Sequence, residues 1–387
     1  MTIRLIILFC TLFFAFATNA AASRIHIGMS LSLSGKYAQM GIMQHKGIRL
    51  WESLINQKGG LLGRQVQLIV EDDQSSPEKA RNIYSKLITR KKVDLVIGPY
   101  SSAISEAILP VVEKYQYPVL LSGASADQLW EKGYRYAFGV YTPASKYTVG
   151  FLQMLVKHNL KRVAVISADD AFSYTLAENT KKWARRFNIT IIASATFKKG
   201  RTDLVPVVES VISKNPDVLL VCGHLDESVS VRKALKKLNW YPKAYYASVG
   251  PALDQFKESL NELSSLVFSS SQWELDACSK YPFGKEFVTR FTAEYKHLPS
   301  YHAATAFAAG MILEYAINGS GTFNRETLRD SLSKIDTMTL IGRFGVDQKG
   351  KQRRHFPLII QWQNQQKKVV WPEQIKTADP IFTRSTQ

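Results

Sequence analysis

The chain has 387 residues, of which 45% are hydrophobic and 21% charged, and it contains only three cysteines. This length and apolar content are typical of a globular protein with two domains, and so few cysteines exclude a disulfide-rich fold. The net charge of +18 could suit nucleic acid, but the basic residues form scattered pairs, such as Lys91-Lys92 and Arg185-Arg186, without interleaved aromatic residues. That pattern favours a solvated surface and argues against a nucleic-acid partner.

The first 22 residues have the composition of a secretory signal peptide. Arg4 is their only charge, an apolar run follows over residues 5–16, and small residues at 19–22 suit cleavage. An uncleaved membrane anchor is the alternative, although the run is shorter than the roughly 20 residues that a span needs. We expect a cleaved, exported, periplasmic protein, because no later stretch is apolar enough to cross a bilayer.

From residue 25 onward, apolar runs that predict strands alternate with segments of helical spacing. Ser76-Pro77 has the residue types that begin a helix. The alternation is typical of a parallel sheet covered by helices on both faces. The predicted elements of this first block are strands at 25–29, 66–71, 93–97 and 118–121, a helix at 44–57 and a helix from 76 onward.

The same alternation starts again after Pro143, which predicts a second α/β domain in tandem with the first. The predicted elements are helices at 147–158, 176–187, 204–214 and 228–238, and strands at 162–167, 190–195, 218–221 and 244–248.

Helices dominate the last third of the chain. They are predicted at 285–295, 303–317 and 326–334, and the second is rich in alanine and glycine, which indicates close packing. Residues 340–363 then predict a hairpin with its turn at 347–350. A hairpin after helices cannot complete a parallel unit alone, so we expect it to extend a sheet that is already built.

Two serine-rich turns follow consecutive buried strands of the first block, at 100–102 and 122–125. In open parallel sheets, ligands bind beyond the carboxyl ends of the strands. The hydroxyl groups of Ser102 and Ser125, together with free backbone N–H groups at a helix start, are suitable donors to a carboxylate. Plain helix caps are the alternative interpretation of both serines.

The strand ends of the second block, at 169–172, 222–226 and 248–250, have aromatic and apolar residues with few hydroxyl groups. One wall would therefore hold a charge and the other would cover an apolar body, which suits a small amphipathic ligand in a cleft. Cys222 and Cys278 are expected to be two small buried thiols, with pairing as the alternative.

Several motifs together resemble one known family. They are N-x-x-G-G-x-x-G at 56–63, D-D-x-x-x-P at 72–77, VIGPYSSAIS at 96–105, LLSGAS at 120–125 and PSYHAATAFAAG at 299–310. The chain resembles the branched-chain amino acid (leucine/isoleucine/valine) binding proteins of ABC importers, which have the type I periplasmic binding fold. The resemblance covers essentially all of the mature chain.

The resemblance implies an α/β fold of two doubly wound parallel-sheet lobes, joined by three hinge crossings near 141–145, 270–274 and 339–342. The first lobe would comprise residues 23–142 plus 272–338, and the second 143–271 plus 339–387. It also implies a binding protein without cofactor or metal, a small-molecule ligand, an inner-membrane ABC permease as partner and a monomeric state.

The resemblance also implies roles for individual residues. Ser102 matches a carboxylate-binding serine, and Ser125 matches a threonine that contacts both the carboxylate and the ammonium of the ligand. The implied ligand-binding residues are Ser102 with Tyr100 in the same turn, Ser125, the Gly123–Ala124 backbone that accepts from the ammonium, Phe172 and His224 as aromatic groups of the second wall, and Met40 in place of an aromatic residue of the side-chain pocket.

One position departs from the family pattern. The amino acid binders place an acid after the strand that ends near Ser248, where this chain has Val249. A buried ammonium without a counter-charge costs several kcal/mol. Either Asp226 or Asp170 could restore the acid from a neighbouring strand end; without it, we expect a small carboxylate that lacks an α-ammonium.

Two further functions fit the same scaffold. An enzyme is disfavoured, because the chain has no G-x-S-x-G elbow, no H-E-x-x-H motif and no phosphate loop, and its seven histidines have no metal-ligand spacing. A ligand sensor that signals through a membrane receptor would use the same clamp and remains the alternative to transport.

Overall fold

Two large sheets, each flanked by helices, form the two lobes of the protein. The computed structural model describes residues 24–383, so the predicted signal peptide lies outside the described residues. We call the first sheet and its helices the first lobe. Its elements are β1 (Ile25–Leu31), α1 (Ala38–Gln57), β2 (Val66–Asp72), α2 (Pro77–Thr89), β3 (Leu95–Ile97), α3 (Ser102–Lys114), β4 (Val119–Leu121) and β5 (Ala137–Gly139), with the helices of residues 275–334 from later in the chain. The five strands are parallel and lie in the order β2-β1-β3-β4-β5.

The second sheet and its helices form the second lobe. Its elements are α4 (Val149–Lys157), β6 (Arg162–Ala168), α5 (Ala171–Arg186), β7 (Thr190–Phe197), α6 (Val205–Ile212), β8 (Val218–Cys222), α7 (Leu225–Lys237), β9 (Ala244–Ala247), α8 (Asp254–Leu260) and β10 (Val267–Ser271), followed near the C-terminus by β13 (Leu358–Gln363) and β14 (Gln366–Trp371). Strands β6 to β10 pair in parallel, whereas β13 pairs antiparallel to both β10 and β14, in the order β14-β13-β10-β9-β8-β6-β7.

The remaining elements lie between β10 and β13 in the chain. They are α9 (Leu275–Cys278), α10 (Gly284–Tyr295), α11 (Tyr301–Ser320), α12 (Arg325–Lys334), β11 (Asp336–Thr339) and β12 (Gly342–Gly345).

Side-chain caps mark the starts of helices α2 and α5. Ser76 caps α2, since its hydroxyl accepts from the Lys79 N–H and Pro77 occupies the first helical position, as the sequence predicts. Helix α5 begins five residues earlier than its apolar spacing indicates. Its cap is Asp170, whose carboxylate accepts from the Ser173 N–H.

Helix α11 packs closely against α1 and fills the core of the first lobe. Its alanines and glycines let the two backbones approach: a Cβ on Gly47 of α1 would lie 2.1 Å from the carbonyl oxygen of Ala303, and one on Gly310 would lie 2.3 Å from the Trp51 ring. The close packing predicted from the composition of this helix is therefore confirmed.

The turn predicted at 347–350 is confirmed, with an antiparallel bridge between Val346 and Gln352 across it, but the strand pairing predicted for residues 340–363 is wrong. Strand β12 pairs antiparallel with β11 in a separate two-stranded sheet, and the true hairpin joins β13 to β14. Gly350, which follows the predicted crossing at 339–342, contacts the first sheet, since its carbonyl accepts from the Gly139 N–H. The expected extension of an existing sheet is confirmed, since β13 adds to β10. The lobe boundaries themselves stay a prediction.

Cys222 and Cys278 are both free and buried, which agrees with the interpretation as two small thiols. Burial raises the pKa of both thiols, that of Cys278 to about 12, so neither is reactive at neutral pH. Over residues 24–383, none of the helices combines the length and the apolar character that a membrane span requires.

Candidate functional site

A small pocket lies between the lobes, at the carboxyl ends of their strands, and we call it the inner pocket. Its empty volume is about 380 Å³, of which the closed arrangement leaves room for about one water. The lobes are therefore closed upon each other. The lining residues are Tyr37, Tyr100, Ser101, Ser102, Ala103, Gly123, Ser125, Tyr141, Tyr147, Asp170, Phe172, His224, Val249 and Tyr301.

Direct contacts hold the lobes in this closed arrangement. Thr175 of α5 donates a hydrogen bond to Gln128 of the first lobe at 2.6 Å. The Tyr37 ring lies 5.7 Å from the His224 ring and 5.6 Å from the Lys199 ammonium, centre to centre. A bound molecule of the size of an amino acid would have to replace part of this packing.

The two serine turns form one wall and are joined by a hydroxyl group. Ser102 Oγ accepts from the backbone N–H groups of Ser125 and Ala126, both at 3.1 Å. Ser125 Oγ lies 3.1 Å from the Tyr147 hydroxyl, which also accepts from Gln272 at 2.7 Å. Burial raises the pKa of Tyr147 to about 12, so its hydroxyl group keeps its proton.

Neither serine is a plain helix cap. Ser102 is the first residue of α3, whose cap Ser101 makes no side-chain capping bond, and the second turn leads only into a short 3₁₀ turn at Asp127–Trp130. Ser101 Oγ is buried with the Tyr37 hydroxyl nearby but without a hydrogen bond of normal geometry. The start of α3 therefore presents a donor, and the positive end of a helix, to the inner pocket.

Asp170 forms the charged part of the opposite wall. Its carboxylate lies 3.1 Å from Lys199 Nζ and 3.6 Å from His224 Nε2, and it accepts from the Ser173 hydroxyl at 2.7 Å. Burial would raise the pKa of this carboxyl group, but His224, Lys199 and Ser173 together hold it well below its usual range. Burial likewise opposes the charge of Lys199, and Asp170 is the main reason that the pKa of this ammonium is raised overall.

Aromatic rings cover the rest of the pocket. Phe172 packs against Tyr147 and His224, with ring centres 5.5 Å and 5.3 Å apart. Tyr100 packs against Tyr37 at 5.4 Å in an edge-to-face arrangement. These contacts favour an apolar or aromatic body between the lobes.

The structure brings most of the predicted site residues together, namely Tyr100, Ser102, Gly123, Ser125, Phe172, His224 and Val249, while Ala124 is buried behind the turn. Met40 and Asp226 lie instead in an adjoining groove with an empty volume of about 1000 Å³, the outer groove, formed by residues 35–40, 199–200 and 224–227. Of the two acids proposed to replace the one missing at Val249, only Asp170 lines the inner pocket.

Sequence reasoning missed several lining residues. Tyr37 lies in the loop after β1, Lys199 follows β7, and Tyr141 and Tyr147 lie where the chain first passes between lobes. The strand-end rule could have found Tyr37 and Lys199, because both follow parallel strands.

His302 lies beside the pocket as a buried, neutral imidazole. It stacks on Tyr301 with ring centres 4.0 Å apart, it also faces Tyr100 and Tyr141, and neither of its ring nitrogens has a hydrogen-bond partner. Burial, with the nearby charge of His224 as a second cause, lowers the pKa of His302 to about 3.

The protein is therefore expected to lose stability in mild acid through His302. The unfolded chain takes up this proton near pH 6.5 and the folded chain only near pH 3, so the unfolded state binds more protons in between and the free energy of unfolding falls as pH falls. The contribution is roughly 2 kcal/mol between pH 7 and pH 4.5. Urea unfolding of wild type and His302→Phe at both pH values measures it; an equal fall in both proteins would contradict it.

Comparisons of the sequence with known proteins match nearly the whole chain. A family model described as periplasmic binding protein matches residues 24–367. The Leu/Ile/Val-binding protein homolog 7 of Brucella suis biovar 1 (strain 1330) is 24% identical over 376 residues, which cover 91% of this chain and 92% of that protein.

Two solved structures show the same fold. The branched-chain amino acid transporter substrate binding protein LivJ of Streptococcus pneumoniae, in complex with isoleucine, superposes with a TM-score of 0.79 at 23% identity, over 89% of this chain and 97% of LivJ. A solute binding protein of an ABC transporter from R. palustris, in complex with benzoate, superposes with a TM-score of 0.80 at 18% identity, over 92% and 98% of the two chains.

Proposed function

Because the chain belongs to the periplasmic binding protein family, we propose that it is the extracytoplasmic substrate-binding protein of an ABC importer. In this role it binds a small amino acid-like or organic carboxylate between its lobes and delivers it to an inner-membrane permease. It is exported with a cleavable signal peptide, acts in the periplasm as a monomer and performs no chemistry on its ligand.

One observation supports this proposal most directly. The two serine turns and the start of α3 converge on the inner pocket, opposite aromatic rings from the other lobe. Such an arrangement offers several hydrogen-bond donors to one carboxylate and an apolar surface to the rest of the molecule. Relatives that bind isoleucine and benzoate agree with this division, since both ligands combine a carboxylate with an apolar body.

A thermal-shift screen of amino acids and small organic acids tests the proposal. A ligand present at 100 times its dissociation constant adds ~2.7 kcal/mol to the apparent stability, which shifts the unfolding temperature measurably. Neutral amide analogues of each hit are the matched control, because they keep the apolar body and lose the charge. Stabilisation by amides and acids alike would contradict a carboxylate site.

Ligand binding is also expected to change the separation of the lobes. The structure is the closed arrangement, and its inner pocket has room for about one water, so a ligand enters only when the lobes move apart about their connections. We expect the lobes of the ligand-free protein to stand apart in solution and to close around the ligand. Small-angle X-ray scattering of the ligand-free and saturated protein should then show a smaller radius of gyration with ligand. A compound that failed the screen serves as control, and an unchanged radius at saturation would count against hinge closure.

A further inference from the structure

Among residues 24–383, which the structure describes, Asp170 supplies the one carboxylate that lines the inner pocket. Val249 lines the same pocket as an apolar group and leaves no acid at the end of β9. An ammonium that entered the pocket would therefore depend on Asp170 for its counter-charge. The question is whether that carboxylate is available to a ligand.

The structure shows that Asp170 is already paired within the protein. Lys199 reaches it from the loop after β7, at 3.1 Å, and both side chains are only 16% exposed. His224 lies 3.6 Å from the other carboxylate oxygen, and the Ser173 hydroxyl donates at 2.7 Å. The carboxylate thus has a cation of its own chain and two further polar neighbours, and an incoming ammonium would have to displace Lys199.

Glu227 is a second buried carboxylate on this side of the cleft. It lies in the outer groove with Lys199 rather than among the residues that line the inner pocket. Its Oε2 accepts from the His224 N–H at 2.9 Å, at the start of α7, where the helix end itself stabilises a negative charge. Glu227 therefore does not take the place of the acid that is missing at Val249.

We propose that Lys199 is the specificity-determining residue of the cleft, because it supplies from within the protein the ammonium that Asp170 would otherwise take from an amino acid. The preferred ligand is then a small carboxylate with an apolar body and no ammonium. This inference rests on the proposed function, and it assigns the ligand class for that site.

The preference follows from the ion pair between Asp170 and Lys199, because an amino acid could pair with Asp170 only by displacing the lysine. If an amino acid bound, its ammonium and that of Lys199 would compete for the Asp170 carboxylate. A ligand ammonium that failed to displace Lys199 would lie in the closed pocket without a counter-charge, which is strongly unfavourable. A displaced Lys199 would exchange its 3.1 Å ion pair with Asp170 for the charge of Glu227 in the outer groove. The Tyr37 ring, 5.6 Å from Lys199 Nζ, helps to keep the lysine in place. A deaminated ligand avoids the conflict, because it brings only the carboxylate for the serine turns.

Calorimetric titration with two matched pairs tests the inference. The pairs are 3-phenylpropanoate with L-phenylalanine and 4-methylpentanoate with L-leucine, which differ only in the ammonium group. In wild type, the deaminated member of a pair is expected to bind at least tenfold more tightly. In Lys199→Met, which keeps the apolar stem but frees Asp170, the ratio of the two affinities should shift at least tenfold toward the amino acid.

Lys198→Met is the matched control. Lys198 is the neighbouring lysine, its side chain is 88% exposed and its partner is Asp169 rather than Asp170, so the ratio should stay that of wild type. Wild-type protein that binds the amino acids as tightly as the acids, or a ratio unchanged in Lys199→Met, overturns the inference while the carboxylate site stands. No binding of these four compounds or of any carboxylate in the screen overturns the proposed function as well. If Lys199→Met does not fold, the wild-type ratio decides the matter.

Discussion

Ser102→Ala is expected to weaken carboxylate binding by at least tenfold. The hydroxyl group both ties the two turns together, by accepting from Ser125 and Ala126, and lies in the inner pocket at the start of α3. A hydrogen bond to a charged group is worth ~1.5–3 kcal/mol, which corresponds to roughly tenfold to a hundredfold in affinity. Ser125→Ala should have a similar effect through its own hydroxyl group. Calorimetry with the tightest carboxylate from the screen measures both changes.

Ser105→Ala provides the control for these variants. It makes the same change in the same helix, but Ser105 Oγ donates to the Pro99 carbonyl and does not line the pocket. The affinity of Ser105→Ala for the carboxylate should match that of wild type, and only its stability should fall, through the loss of this internal hydrogen bond. Wild-type affinity in both Ser102→Ala and Ser125→Ala would show that these hydroxyl groups only brace the turns.

Gly47→Ala is expected to lower the free energy of unfolding by about 3 kcal/mol, at the upper end of what overpacking usually costs. The new Cβ would lie 2.1 Å from the Ala303 carbonyl oxygen, and a backbone atom cannot move aside as a flexible side chain can. The helices α1 and α11 would have to separate along their contact. Urea unfolding without ligand measures the loss as a shift of the midpoint.

Gly319→Ala is the matched substitution on the other helix of this pair. Apart from its chain neighbours and the backbone of its own helix, no atom of residues 24–383 lies within 4 Å of the position of its new Cβ. Only the backbone effect remains, and alanine should stabilise the helix by up to ~1 kcal/mol. Equal midpoints for Gly47→Ala and wild type would contradict the close packing of α1 on α11.

Much of the fold could be predicted from the sequence, because the central parallel strands are buried on both faces and appear as continuous apolar runs, as in β8. The strand pairing near the C-terminus could not be predicted. Strand β11 (DTMT) has no apolar alternation and is not recognised as a strand, so the sequence pattern pairs β12 with β13 instead of with β11. Periodicity identifies a strand but does not say which sheet it joins.

The candidate site, too, could be predicted only in part from the sequence. The serine turns could be predicted, since they directly follow buried strands that lie side by side in the sheet. The pairing of Asp170 with Lys199 could not, because it depends on where a long side chain points from the end of β7. The sequence offered Asp170 and Asp226 as equal alternatives, and only the three-dimensional arrangement separates them.

The packing of α11 on α1 also sets the order in which the chain can fold. All five strands of the first sheet are complete at Gly139, yet the helix that covers Trp51 begins only at Tyr301. Since the chain is made from its N-terminus, the first lobe stays without a complete core until more than three quarters of the residues have been added. Contacts between such distant segments slow folding, so we expect the first lobe to complete its core late.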